Sequence, residues 1–435
     1  MVNYKLKIKL SDAITTAAFL LSFLHSVFLL LFFAFILYRA LKSTEDAIRG
    51  LILIAIRTII NPQVAVGISS VQLVKWLVIF AISFVILYRN QKKEKLVRVQ
   101  KSANRVIFFC VYICFAALIS SSYPIVSVFK CFSYGFVFLS VLYGVGETGK
   151  DVDWPDVLYR YLTYLMLISL VCSPFDFSYY SRNRWFMGLT NHSQMFGIMA
   201  ALYLSLLLLR MIKGQRSAFQ YLMLAAVAYL TFLSGSRTGM ISALLCIVYA
   251  LYVEIVKNKK IYILFILLVA AAYIWIAYRE EVTTVFQNFI VKDADGSKGL
   301  EITLENITMS RTEQYEMFLT KFQSHPLIGS GFMVPYVEGL WSWAFSFCLL
   351  VESGNIFYAV LGDLGILGLA LFLFTYGSIY FWGSKKQGRA LLFFAPLFIN
   401  LGEMVFFSTN NNAIILYVMI AAFLVQGEQG KETLS

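Results

Sequence analysis

The sequence predicts an all-α polytopic membrane protein, and its composition, its apolar runs and its charge placement all support this prediction. Of the 435 residues, 60% are hydrophobic and only 14% are charged, whereas soluble proteins have about 45–50% apolar and about 25% charged residues. This composition excludes a soluble globular enzyme, a disordered chain and a disulfide-stapled secreted domain. The net charge of +12 fits basic cytoplasmic loops, so we expect no nucleic-acid partner.

About twelve apolar runs are long enough to cross a bilayer as helices, because each span needs roughly 20 mostly apolar residues. The six cysteines lie mostly inside these runs, where an isolated thiol packs as a small apolar group. The predicted spans are residues 13–38, 71–88, 105–122, 124–145, 157–173, 189–210, 218–234, 238–256, 260–278, 355–382, 389–407 and 411–426.

The connecting segments separate into two sides by their Lys and Arg content, since short basic loops stay in the cytoplasm. The predicted cytoplasmic segments are 89–105, 213–216, 257–260 and 385–389, and the predicted external segments are 174–188, 234–237, 279–352 and 408–412. Both termini are therefore expected in the cytoplasm.

The segment 49–67 does not fit this alternation. It is apolar but short, carries Arg57 near its middle and is interrupted by Asn61-Pro62. A full crossing would move the 89–105 segment or the N-terminus to the other side. We therefore predict a re-entrant or interfacial helix, which requires that any irregular backbone be buried in protein or face a water-filled cavity.

The long external segment 279–352 divides the chain into a bundle over 1–278, this loop, and further helices over 353–435. Ser310 and Glu313 form a capping box, and the apolar residues after them repeat at helical spacing up to Phe322. This pattern predicts an amphipathic helix within the loop. His325-Pro326 is expected to end it.

Arginines on the predicted external side run against the usual topology bias. Arg184 precedes a helix, Arg237 opens the next outward-facing helix, and Arg311 begins the amphipathic helix. A guanidinium binds phosphate oxygens in a bidentate way, and a helix N-terminus adds a positive dipole. This pattern favours an anionic ligand. The alternative is that Arg184 and Arg237 only extend to lipid headgroups or pair with acidic residues.

Three acidic residues, Glu338, Glu352 and Asp363, are predicted on the same side. Glu352 lies between aromatic stretches, where partial desolvation would raise its pKa and suit it to act as a general base. The alternative for Glu352 is an ion pair with one of the arginines. The sequence leaves both roles open for Glu352.

The three histidines are too dispersed for a metal site. His25 lies within the first apolar run and is expected to be buried. His192 starts a helix and His325 precedes a proline, where a cap or loop role is expected. No Walker A, GxGxxG, HExxH or GxSxG motif is present, so nothing supports ATP hydrolysis or serine-type hydrolysis.

Four stretches between residues 184 and 368 match the motifs of one known family. They are RWFMGLTNH (184–192), SGSRTG (234–239), Arg311 with FQSHPLIGSG (322–331), and GNIF (354–357) followed by GDLGILG (362–368). With the helical architecture, these stretches resemble the O-antigen ligase and polymerase superfamily, which comprises integral membrane glycosyltransferases of the GT-C type. The N-terminal third resembles the family in hydropathy alone.

The resemblance implies roles for particular residues. Arg184 and Arg237 would hold the diphosphate of an undecaprenyl-linked glycan. Ligases of the family carry a catalytic His immediately before the Asn of the last motif, where this chain has Gly354. The implied catalytic residues are therefore Glu352 as the replacement base and His325 as second candidate. The remaining implied substrate-binding residues are Arg311, Asn191, His192 and Asn355.

The resemblance further implies a Wzy-type polysaccharide polymerase in the bacterial cytoplasmic membrane, with its site on the external side. Donor and acceptor would be undecaprenyl-diphosphate-linked oligosaccharides, with membrane lipids and a chain-length regulator as further partners. No metal or other cofactor is expected, because the lipid-linked diphosphate stores the energy. An O-antigen ligase and a flippase for the same lipid-linked glycan are the alternatives.

Overall fold

Helices form the framework of the described part of the chain, with isolated β-bridges but no β-strand. The computed structural model describes residues 10–180, 184–257, 312–336, 354–383, 386, 388–408 and 413–432, and isolated positions from 259 to 283. The α-helices are α1 (Leu10–Leu21), α2 (Ser26–Ala40), α3 (Thr44–Thr58), α4 (Gln72–Asn90), α5 (Val97–Ser120), α6 (Pro124–Thr148), α7 (Trp154–Val171), α8 (Ser193–Ile212), α9 (Ala218–Leu233), α10 (Arg237–Tyr252), α11 (Thr312–Ser324), α12 (Ile356–Trp382), α13 (Leu391–Asn400) and α14 (Ala413–Glu432).

Six of the described helical segments are long and apolar enough to cross a membrane, which confirms an all-α polytopic membrane protein. Shorter apolar helices, including α2, α9 and α13, pack beside them. The predicted span 260–278 lies mostly outside the described residues. The six long segments are Ile68–Asn90, Val97–Ser120, Pro124–Thr148, Ser193–Ile212, Arg237–Val256 and Ile356–Trp382.

The helices run between two ends of one bundle. At the first, which we call the basic end, Lys93 pairs with Glu147 at the end of α6, and Arg98 donates to the Trp382 carbonyl at the end of α12. At the opposite end, which we call the distal end, the chain segments between helices pack on one another. Lys213 lies beside Gly149 and Asp153 after the end of α6, so the basic segments 89–105 and 213–216 lie at the same end of the bundle.

The first apolar run, predicted as one helix over 13–38, is two antiparallel helices. The chain turns at Ser22–His25, where the exposed His25 caps α2 and its Nδ1 accepts a hydrogen bond from the Val27 N–H at 3.2 Å. At the basic end Arg39 of α2 hydrogen-bonds the carbonyl of Ser11 at the start of α1. The expectation that His25 is buried is therefore wrong, because the residue marks a turn.

The segment 49–67 contains the second part of α3 and the irregular chain after it, and its interpretation as a re-entrant or interfacial segment stays a prediction. α3 starts at the basic end, where Thr44 hydrogen-bonds Glu147, and runs about 22 Å to the distal end. There the Asn61 side chain donates to the Phe177 carbonyl at 2.8 Å. α3 therefore reaches from the basic end to the distal end, and because α1 and α2 form a hairpin, the 89–105 segment still lies at the basic end.

Arg57 is tolerated inside α3 because its guanidinium is supplied with acceptors. The side chain is 1% exposed and donates to Ser22 Oγ and the Ser22 carbonyl at 2.9 Å and to the Val66 carbonyl at 2.7 Å. Its charged plane also lies over the Phe23 ring at 5.1 Å. These contacts offset desolvation and hold the α1–α2 turn against the end of α3.

The centre of the bundle contains α14 and the crossing of α8 with α10. Residues 413–425 of α14 are buried. Where α8 meets α10, a Cβ on Gly239 would overlap the backbone of Gly197. Small residues let the two backbones approach closely, and this close crossing fixes the start of α10 against α8.

Helix α12 is broken near its start. Gly365 has φ 68° and ψ −171°, a conformation that favours glycine. The break frees backbone groups of residues 362–367, and the 326–331 loop bonds them: Ser330 and Gly331 donate to the Gly362 and Asp363 carbonyls at 3.2 and 3.0 Å. In return, the Ile366 and Leu367 N–H groups donate to carbonyls of the loop. Irregular backbone at this depth is thus satisfied by protein.

Candidate functional site

The first arginine loop folds back onto itself at the distal end. Tyr180 donates to the Trp185 carbonyl and Arg184 donates to the Tyr180 carbonyl, both at 2.8 Å. Arg184 adopts φ 52°, which is unfavourable for a residue with a Cβ. Its side chain is 81% exposed and reaches Asp176 only at 3.5 Å, with Asp176 99% exposed. Such an ion pair is weak, so the guanidinium stays available to a ligand.

The second arginine motif packs directly against the first. The Phe186 N–H donates to the Leu233 carbonyl at 3.0 Å, and a Cβ on Gly235 would lie 2.7 Å from the Trp185 ring. Gly235 has φ 61°, so both its backbone shape and the indole above it require glycine. The structure therefore brings the Arg184 loop and the Ser234–Arg237 turn together, as the grouping of motifs predicted.

Arg237 is the first residue of α10 and half-buried. Ser236 caps the helix by accepting from the Gly239 N–H at 3.2 Å, and Ser234 Oγ accepts from the Ser236 N–H at 3.3 Å. The two serines thus hold the turn that aims the helix start toward the distal end. A guanidinium beside a helix N-terminus combines a full and a partial positive charge.

His192 and Asn191 border the same turn. His192 caps α8, with Nδ1 accepting from the Gln194 N–H at 3.2 Å, and its ring lies 4.9 Å from that of Tyr180. Asn191 is exposed, and its N–H donates to the Ile59 carbonyl at 2.7 Å. His192 therefore has the expected cap role, while the Asn191 side chain lies on the open surface.

Asn355 already uses both ends of its side chain. Oδ1 caps α12 by accepting from Phe357 at 2.8 Å, and Nδ2 donates to the Leu401 carbonyl at 2.9 Å. This arrangement is that of a structural cap. Gly354 before it has φ 64°, a conformation in which a histidine would be strained.

The α13–α14 connection, residues 401–408, joins the two halves of the distal end. Gly402 lies so close to Thr238 of α10 that a Cβ on it would overlap the threonine hydroxyl. Further along, Phe407 packs against Phe332 with ring centroids 4.9 Å apart. The arginine turn and the loop after α11 therefore share one neighbouring segment.

A buried ion pair fixes the loop that follows α11. Lys321 and Asp363 are 2% and 3% exposed and form a salt bridge. The Lys321 ammonium also donates to the Val334 carbonyl at 2.6 Å and the Gly331 carbonyl at 3.4 Å, while Asp363 accepts from the Met333 N–H at 2.7 Å. Both charges are thus satisfied, and Asp363 pairs with a lysine instead of an arginine.

His325 stands next to a short chain of hydroxyl groups. Ser324 and Ser330 both reach the Lys321 carbonyl and lie 2.7 Å from each other, and His325 Nδ1 lies 3.3 Å from Ser324 Oγ. Each hydroxyl has one proton, and both can be donated to the Lys321 carbonyl. With its proton used in this way, Ser324 Oγ can accept from His325 Nδ1–H, and in that tautomer Nε2 is an acceptor.

Two of the expected site residues fall in segments that the structure does not describe. Glu352 and Arg311 lie outside the described residues. The buried position of Lys321 was not predicted, because its place in the sequence is typical of a surface residue of an amphipathic helix. A charged residue between two glycines, Gly362-Asp363-Leu364-Gly365, was an available signal for the helix break. No group of three His, Cys, Asp or Glu residues in the described part could hold a metal ion.

Part of the distal end lies in a segment that matches a known protein family. Residues 222–373 match the profile of a family described as O-antigen ligase, and no curated protein matches the chain. The matched segment contains Arg237, the 325–331 loop and the break in α12, while Arg184 precedes it. This segment is therefore similar to the O-antigen ligase family over about a third of the chain.

Proposed function

We propose that this protein is a polysaccharide polymerase that joins undecaprenyl-diphosphate-linked oligosaccharide repeat units at the outer face of a bacterial cytoplasmic membrane. The observation that carries the proposal is the packing of the exposed Arg184 loop onto the turn at Arg237, at the start of α10. Two guanidinium groups near one helix N-terminus suit a diphosphate. The family match supports the same class of reaction.

In the proposed reaction, a sugar hydroxyl of one repeat unit attacks the anomeric carbon of another. The bond from that carbon to the diphosphate breaks, and the diphosphate leaves with an added negative charge. Arg184, Arg237 and the dipole of α10 stabilise this charge as it develops. The hydroxyl proton passes to a base, for which Glu352 is the first candidate and His325, through Nε2, the second.

Gly354 favours a polymerase over a ligase. Family ligases carry a histidine at this position, and here the backbone has φ 64°. A histidine would have to adopt a left-handed conformation that costs about 1–2 kcal/mol. The local backbone is therefore built for glycine, and the base must come from another residue.

The test uses the purified full-length protein, one defined lipid-linked repeat unit and neither metal nor ATP, with products separated on a gel. We expect unaltered protein to give a ladder of chain lengths. Arg237→Ala should lower the rate by about 100-fold or more, and Arg237→Lys should remain strongly impaired because an ammonium cannot bind two oxygens in a fork.

Arg160→Ala serves as the matched control, because Arg160 is 61% exposed, pairs with Asp156 and lies at the basic end. It should leave the ladder unchanged. Full-length chains made by Arg237→Ala would contradict the diphosphate role. Transfer of a preassembled polymer to a lipid A core acceptor, without laddering, would show a ligase instead.

A further inference from the structure

A cavity of about 290 Å³ lies at the basic end, far from the arginine turn. It is formed by the end of α6, the start of α7, Lys213 after α8, Arg389 and α14. The distal site makes no use of it, and the inference below does not rest on the proposed function. Its lining includes Lys150, Asp151, Asp153, Lys213 and Arg389.

Three cationic and two carboxylate side chains line the cavity, so its net charge is +1. Within the described part of the chain, neither Lys150 nor Lys213 forms a salt bridge, although Asp153 acts electrostatically on Lys213. Other basic residues at this end are paired, such as Arg210 with Asp156 and Arg216 with Glu254. Among the residues that the structure describes, Lys150 and Lys213 therefore lack the salt-bridge partners that Arg210 and Arg216 have.

Lys213 also lies in an electrostatically unfavourable place. Desolvation lowers its pKa, and the nearby Arg389 and Arg210 lower it further, while Asp153 opposes them. Bringing cations together at a cavity wall costs free energy unless an anion joins them. A bound anion would favour the charged form of Lys213 and offset this cost.

The remaining walls are apolar. Val145 of α6 and Ala422 and Val425 of α14 line one side, and Trp154 and Pro155 of α7 line another. Val145, Trp154, Ala422 and Val425 are each at most 2% exposed, so the charged groups provide most of the surface that a ligand would contact. By the positive-inside bias this end faces the cytoplasm, where acidic lipids and basic pockets between helices meet.

We propose that this cavity binds the phosphodiester headgroup of an acidic phospholipid, through Lys150, Lys213 and Arg389. One negative phosphodiester matches the single net positive charge. The bound lipid would hold the ends of α6, α7 and α14 together.

The test titrates the detergent-solubilised full-length protein with short-chain phosphatidylglycerol, and it measures the melting temperature and the lipid adducts by native mass spectrometry. We expect a saturable one-to-one adduct and a rise in melting temperature. Short-chain phosphatidylcholine and inorganic phosphate are the comparison arms, and both should give less than about a tenth of the effect. An equal effect of phosphatidylcholine, or of phosphate, would overturn the proposal.

The double variant Lys150→Ala/Lys213→Ala should weaken phosphatidylglycerol binding about 25-fold, since each basic residue near a membrane surface contributes about 1 kcal/mol, or about fivefold. Arg216→Ala is the control, because Arg216 lies at the same end, pairs with Glu254 and does not line the cavity. Unchanged binding by the double variant would overturn the proposal.

A salt titration of the unaltered protein gives an answer even where the double variant fails to fold. Raising the salt concentration from about 0.05 to about 0.5 M should weaken phosphatidylglycerol binding, because screening acts on partly exposed charges. Binding that is independent of salt would exclude a charge-based headgroup site.

Discussion

At the scale of single residues, two buried cations show how this protein carries charge inside a bundle. Arg57 and Lys321 are each about 1% exposed overall, and each donates to backbone carbonyls from irregular segments at the distal end. Both residues therefore hold irregular backbone in place by satisfying its carbonyl groups. Lys321 holds a carboxylate as well, which makes its network the more sensitive to substitution.

Substitution of one partner of the Lys321–Asp363 pair should be strongly destabilising. Lys321→Met leaves Asp363 buried without its counter-ion, and breaking such a pair costs about 3–5 kcal/mol. The double variant Lys321→Met/Asp363→Leu should recover part of this loss, since no charge remains uncompensated. Thermal unfolding in detergent measures both effects.

The control for this prediction is Arg160→Ala, which removes an exposed pair with Asp156 and should cost less than about 1 kcal/mol. An equally small effect of Lys321→Met would show that the buried pair does not stabilise the loop. In that case His325 and its serine neighbours would need another support.

The residue scale also shows what the sequence could predict. Arg184 and Arg237 were predicted together because residue type and helix starts suffice to identify them. The partner of Asp363 was not predicted, because it depends on how the loop after α11 folds back on α12. His25 was misinterpreted because a lone histidine in an apolar run has no distinct pattern, while its cap role depends on a turn that contains no glycine or proline.

At the scale of elements, α12 shows most clearly how the sequence of a helix determines its structure. Its break at Gly365 lets the 326–331 loop bond to four backbone groups of the helix. Tyr112 of α5 adds a hydrogen bond from its hydroxyl to the Leu364 carbonyl at 2.8 Å. An unbroken helix would leave the loop without these partners.

Gly365→Ala should therefore destabilise the protein and lower polymerisation. The new Cβ would overlap the Leu327 backbone, and φ 68° adds roughly 1–2 kcal/mol of strain. Gly377→Ala is a matched control in the same helix, because nothing lies within 4 Å of its Cβ and alanine favours helix. Thermal unfolding and the ladder assay should separate the two, and equal behaviour would contradict a required break.

Element boundaries followed from sequence where charge or proline marked them, as at the Pro124 start of α6. The predicted boundaries were wrong where two short helices share one apolar run, as in α1 and α2. Hydropathy counts residues and cannot detect a turn whose residues are themselves mostly apolar. The missed hairpin also changes the parity of the crossings, on which the interpretation of 49–67 depends.

At the scale of the whole molecule, the two ends differ in chemistry. The basic end has paired charges and short connections, whereas the distal end has long irregular segments that pack on one another around the arginine turn. Under the proposed function, lipid-linked substrates would approach the distal site from the membrane, and under the proposed lipid binding, an acidic phospholipid would contact the basic end. The orientation of the bundle therefore determines which surface meets which ligand.

Cysteine labelling tests this orientation and the crossing of α3 together. In a variant without the six native cysteines, single cysteines replace Asp176 at the distal end, Gln215 at the basic end and Lys42 before α3, all exposed. An impermeant maleimide added to spheroplasts should label only Asp176→Cys, and permeabilisation should expose the other two. Labelling of Lys42→Cys with Asp176→Cys would show that α3 does not cross. Labelling of Gln215→Cys without Asp176→Cys would show that the bundle has the opposite orientation. The arginine turn would then lie on the cytoplasmic face, which would contradict the proposed site of polymerisation.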